Sequence, residues 1–174
     1  PYDANDTLSQ AIAKTFYQGL FGFDKDMKLI PVLAESQSVS ADGLTYTIKL
    51  KTGIKFHDGT PFTAKDVVFS LNRAKGPNAQ VKSLLASVDS ITAVDNLTVH
   101  VKTKGPNLIF PNNLTNIFIM NEEWAKANGA LETQDATSKT ENGATRAVNG
   151  TGAFTLASRE VDSRTRSEER RVGK

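Results

Sequence analysis

The sequence contains no cysteine and only two histidines. The first absence excludes disulfides and thiolate metal sites, although it fixes no compartment by itself. The histidines, His57 and His100, lie far apart and form neither an H-x-x-H nor an H-E-x-x-H pattern, so a metal centre is not expected. No G-x-S-x-G nucleophile motif occurs, and no spacing among the acidic residues marks a catalytic pair. The chain is therefore not expected to be an enzyme, and no cofactor is implied. Gly150-Thr151-Gly152 lacks the further glycine and the lysine of a phosphate loop and precedes a strand pattern.

Long apolar runs are missing too. No stretch approaches the roughly 20 residues that span a bilayer. The chain begins at Pro1, without methionine and without a charged-then-apolar leader. An exported protein lacking its beginning would look the same, so the chain is expected to be part of a longer protein. Excess charge is also nearly absent. The net charge of +2 comes from the last nine residues, RSEERRVGK, which hold four basic and two acidic side chains. The remaining body is neutral, which removes the case for a nucleic-acid partner.

What is present is local patterning. Residues 8–23 carry Leu8, Ile12, Thr15, Phe16 and Gly19 at helical spacing, with Ser9 as a candidate cap and Gly19 and Gly22 closing the end. The aromatic group Phe16, Tyr17, Phe21 and Phe23 is expected to divide between a core and a cleft. Asp42-Gly43 is a two-residue hairpin signal, followed by a period-two strand over Leu44, Tyr46, Ile48 and Leu50. Thr63-Ala-Lys-Asp66 fits a capping box ahead of the stripe Val67, Val68, Leu71 and Ala74. A second hairpin is predicted over residues 88–102 around Asp95-Asn96, with Leu97, Val99 and Val101 on the buried face. Residues 108–120 are apolar and predict a buried strand. Asn121 caps a short helix, residues 130–148 read as a long loop, and residues 152–157 as a final strand. His57 reads as a turn residue and His100 as a surface residue. The fold class is α+β, with mixed sheets, hairpins and short helices.

The stretch SADGLTYTIKLKTGIKFHDGTPFTAKDVVFSLNRA, Ser40 to Ala74, resembles the signature region of solute-binding proteins of ATP-binding-cassette importers, in the peptide/nickel class. FYQGLFGFD (Phe16–Asp24), LAES (Leu33–Ser36) and NGTGAFTLASRE (Asn149–Glu160) are similar to other family segments, with Ala153 where proline is usual. The opening third also looks close to glutathione- and dipeptide-binding members.

The resemblance implies the N-terminal part of a two-lobed periplasmic-binding-protein fold with an extra subdomain. Residues 1–22 would start the ligand-binding lobe, 23–148 form the extra subdomain, and 149–165 return to the lobe. The second lobe and its leader would lie outside this chain. The function implied is delivery of peptides to an importer's membrane permease, by a monomer that is periplasmic or anchored as a lipoprotein on the outer face. Nickel or glutathione as the solute, or a sensory or chaperone-like role on the same fold, are the alternatives. The residues matching a family stretch near the ligand are Gln18 and Leu20, with Tyr17 and Phe21 behind them. The KFHDGTPF turn is read as structural. The tail, 166–174, is similar to the conceptual translation of a common sequencing adapter and is expected to carry no structure and no function.

Overall fold

The computed structural model describes residues 7–134, 141–160 and 164–169. Helix α1, Thr7–Phe16, is followed by a small hairpin of β1, Phe21–Phe23, and β2, Leu29–Pro31. The helix begins ahead of Ser9 and stops at Phe16, because Gly19 must pass close to the backbone carbonyls of Leu114 and Ile117. A Cβ at Gly19 would come within 2.9 Å and 3.2 Å of those oxygens.

The main sheet has four antiparallel strands in the order β3-β4-β6-β5. They are β3, Ala34–Val39; β4, Thr45–Leu50; β5, Val88–Asp95; and β6, Thr98–Thr103. Alternation decides the faces: Tyr46, Ile48, Leu50, Val99 and Val101 are buried. In register across the other face stand Ser38, Thr47, His100 and Thr92. The turn between β3 and β4 is longer than the two residues expected. Ser40 N–H bonds to the Thr45 carbonyl, while Asp42 Oδ1 accepts from Leu44 N–H at 3.0 Å. The second hairpin follows expectation, with Asp95 Oδ1 accepting from Leu97 N–H at 2.7 Å.

Helix α2, Ala64–Ala74, lays Ala64, Val67, Leu71 and Ala74 against the sheet. Its capping box is present. Asp66 Oδ2 accepts from Thr63 N–H at 2.9 Å and from the Thr63 hydroxyl at 3.0 Å. The other carboxylate oxygen does something the box does not predict. It accepts from Asn121 Nδ2 at 3.1 Å and Glu122 N–H at 3.0 Å, tying α2 to the start of α4, Glu122–Ala127. Burial pushes the Asp66 carboxyl up from its ordinary value, and these donors pull it partly back. Asn121 caps α4 as expected, accepting from Trp124 N–H at 2.7 Å.

The apolar stretch at 108–120 is not a strand. It forms the short helix α3, Phe110–Asn113, then a 3₁₀ turn, Leu114–Asn116, and only then extends. Pro111 explains this, since it supplies no ladder N–H and favours a first helical turn. Leu108 and Ile109 are exposed, at 90% and 65% of their surface. Ile117 to Met120 are buried, and Ser70 Oγ both accepts from Met120 N–H and donates to its carbonyl.

The chain closes with β7, Phe154–Glu160, paired to β8, Arg164–Glu169. The expectation of a structureless tail therefore fails for Arg166 to Glu169, while residues 170–174 lie outside the described set. The side chains of Thr165 to Glu169 are exposed. An antiparallel ladder needs only backbone donors and acceptors, so a polar sequence can form it.

Candidate functional site

Three segments distant in sequence meet at the end of α1. The first is the helix end itself, Phe16 and Tyr17. The second is the turn Phe56-His57-Asp58 of the KFHDGTPF stretch. The third is Asn149 to Gly152. Gly152 N–H caps the Phe16 carbonyl at 2.8 Å. His57 N–H donates to the Gly150 carbonyl at 2.9 Å. The imidazole completes the tie: Nδ1 accepts from Gly150 N–H at 3.2 Å, and Nε2 lies 3.0 Å from the Gly152 carbonyl. Since Nδ1 accepts, Nε2 carries the proton and donates. The neighbouring side chains pair reciprocally. Asp58 N–H donates to Asn149 Oδ1 at 3.2 Å, and Asn149 Nδ2 donates to Asp58 Oδ2 at 2.8 Å. Asn149 is buried. His57 is thus more than a turn residue; it closes a contact across most of the chain length.

The glycines are required by proximity. A Cβ at Gly150 would collide with the Phe16 carbonyl and come within 2.8 Å of the Tyr17 ring. At Gly152 it would lie 2.7 Å from the carbonyl oxygens of both Phe16 and Thr15. The absent side chains let two backbones touch.

Beside this junction is a cleft of ≈ 280 Å³. One wall is α1, through Ser9, Ile12, Ala13 and Phe16, continuing into Tyr17. The facing wall is Val148 with Leu156 and Arg159 of β7. Arg159 Nη1 donates to the Thr145 carbonyl at 2.8 Å. The walls are largely apolar with a few polar groups, which suits burial of an apolar side chain within a hydrogen-bonded rim. Among the described residues no group of three or more His, Asp or Glu side chains converges as a metal site.

Of the four residues singled out from the sequence, Tyr17 lines the cleft and Gln18, Leu20 and Phe21 do not. Gln18 is half-buried, and its carbonyl accepts from Ile119 N–H at 2.9 Å. Leu20 and Phe21 are core residues, 1% and 4% exposed. The Leu20 carbonyl accepts from both Val32 and Ala34 N–H. Ile12, Leu156 and Arg159 were missed. The only sequence signal for Ile12 was an apolar residue on a helix face with no identified partner.

The chain belongs to the bacterial extracellular solute-binding proteins, family 5 Middle, which it matches over residues 28–170. It is 58% identical over 116 residues to the glutathione-binding protein GsiB of Pectobacterium atrosepticum, covering 66% of this chain and 23% of that protein. To GsiB of Escherichia coli (strain K12) it is 55% identical over 114 residues, covering 64% and 22%. Among solved structures it resembles Haemophilus influenzae OppA in complex with RPPGFSPFR (TM-score 0.81, 25% identity), covering 97% of this chain and 35% of that one. Helicobacter pylori DppA in complex with the peptide STSA gives 0.78 and 26%, covering 98% and 36%. The chain spans about a quarter of the length of the curated relatives it matches.

Proposed function

We propose that this chain is part of an extracytoplasmic solute receptor that delivers a short peptide, with glutathione the first candidate, to the permease of an ATP-binding-cassette importer. The observation that carries this reading is the 58% identity to a glutathione-binding protein, against 25–26% for the oligopeptide- and dipeptide-binding neighbours. Tyr17, which lines the cleft, is the residue of the 17–21 turn that meets the solute, with Gln18 beside it and Leu20 and Phe21 holding the turn from the core. The receptor works in the periplasm or as a lipoprotein on the outer face of the membrane. Receptors of this kind trap solute by closing two lobes around it, and residues 1–174 supply one side only.

The test is calorimetric titration of the full-length protein with glutathione, di- to pentapeptides and a nickel–histidine complex. Binding of glutathione at micromolar affinity or tighter is expected, with the isolated 174 residues binding none of the panel tightly. Silence across the panel in the full-length protein sinks the reading, and nickel binding alone would replace it.

A further inference from the structure

We infer that His57 and Asp58 are positioning residues that set the placement of the Tyr17 ring from outside the cleft. The inference rests on the solute-receptor reading for its functional consequence and on the junction geometry for its structural content.

The chain of contacts is short and complete. His57 grips the loop through three hydrogen bonds, with its own N–H and both ring nitrogens engaged by Gly150 and Gly152. Asp58 grips the adjoining Asn149 through two more. The loop so held presents a bare glycine face to α1. Gly152 N–H caps the Phe16 carbonyl, and the Cα of Gly150 packs where a Cβ would meet the Tyr17 ring. Tyr17 is 4% exposed and lines the cleft. Neither His57 nor Asp58 lines the cleft. They act on it through the glycine loop, as groups behind a binding residue fix its orientation.

The opposite side of the turn shows why His57 is well placed for this. Asp58 Oδ1 accepts from Thr60 N–H and Oγ1 at 2.9 and 2.6 Å, and Phe56 N–H bonds to the Thr60 carbonyl. Phe56 is fully buried and meets Phe62 edge-on with ring centres 6.2 Å apart. The turn is therefore anchored in the sheet core, and His57 projects from a fixed base. The core is thereby tied to the glycine loop through five hydrogen bonds, and the loop meets the end of α1 through the Phe16 cap and the Gly150–Tyr17 contact.

The experiment uses the full-length protein labelled with 3-fluorotyrosine, with the Tyr17 fluorine line assigned by Tyr17→Phe. His57→Ala is expected to shift or broaden that line, leave the Tyr46 line in place, and weaken glutathione binding about tenfold, as expected for loss of the two ring hydrogen bonds. Val88→Ala, in the edge strand β5, is the stability control; it lowers the melting temperature without moving the Tyr17 line or the affinity. An unmoved Tyr17 line in His57→Ala overturns the inference, as does a line that moves equally in Val88→Ala. If the wild-type protein binds no solute, the functional reading fails while the fluorine line still decides whether His57 positions Tyr17.

Discussion

The sheet and the junction at the end of α1 are built by opposite means. In the sheet, β3 pairs with β4 and β5 with β6 through short turns, while the central β4–β6 pairing joins the two hairpins. The turns are closed by their own aspartates, Asp42 and Asp95. At the junction every contact is long-range: Phe16 to Gly152, His57 to Gly150, Asp58 to Asn149. The sheet buries aliphatic side chains on one face, whereas the junction is mostly backbone and polar. Local encoding predicts a core that forms before the junction closes, and hydrogen exchange is expected to find the glycine loop and α1 opening at lower cost than the sheet.

The sharpest way to break this comparison is to remove core from the sheet. Ile48 lies in the central strand β4 and is fully buried. Ile48→Ala should cost about 2–5 kcal/mol, read from urea unfolding, and should lower protection from hydrogen exchange in both regions, because the junction depends on the sheet. Loss of protection confined to β4 and β6 would show that the junction stands alone.

Gly150→Ala asks the converse and should cost less, about 1–3 kcal/mol, the range for forcing atoms into a packed site. The added methyl group meets the Phe16 carbonyl and the Tyr17 ring, so α1 or the loop must move. Amide exchange should accelerate at Gly150, Gly152 and Tyr17, while Ile48, Val99 and Val101 keep their wild-type rates. Equal acceleration in β4 and β6 would merge the two regions into one cooperative unit.

The difference also explains what could be read from the sequence. Caps and turns involve residues two to four apart, so Thr63 with Asp66, Asn121 before its helix, and Asp95 before Leu97 were visible as patterns. Alternation in 44–50 and 97–103 assigned the buried face of the sheet. The apolar content of 108–120 predicts a strand, but Pro111 decides the local geometry and starts a helical turn. His57 looked like an ordinary turn residue, since nothing within ten positions of it hints at Gly150. The same applies to Asp66, whose second oxygen reaches Asn121 and Glu122. Resemblance marked KFHDGTPF and NGTG separately, but contact between them is a property of the fold. Tyr17 reached the cleft because the helix stops at Phe16, while Leu20 and Phe21 turned inward with the β1–β2 hairpin.

The smallest expected effect is also a comparison, between two aspartates whose titrations push stability in opposite directions. Asp42 is exposed; the Ser40 hydroxyl, then Leu44 N–H, hold its carboxyl below the ordinary value of 3.8. The folded state prefers it ionised, so its contribution is present above the unfolded pKa and is lost as pH falls through the folded one. Asp66 is raised by burial. The folded state binds its proton more readily than the unfolded chain does, so lowering pH through the folded pKa relieves the cost of a buried charge. Thermal melts between pH 7 and pH 3 should therefore separate two variants. Asp42→Asn should reduce the loss of stability on the acid side, most below pH 3.8, because it deletes a group that favours neutral pH. Asp66→Asn should steepen that loss, because it deletes a group that partly offsets it. The same slope in both variants would mean that the four donors around Asp66 outweigh its burial, and that its carboxylate sits in the fold as comfortably as one in an open turn.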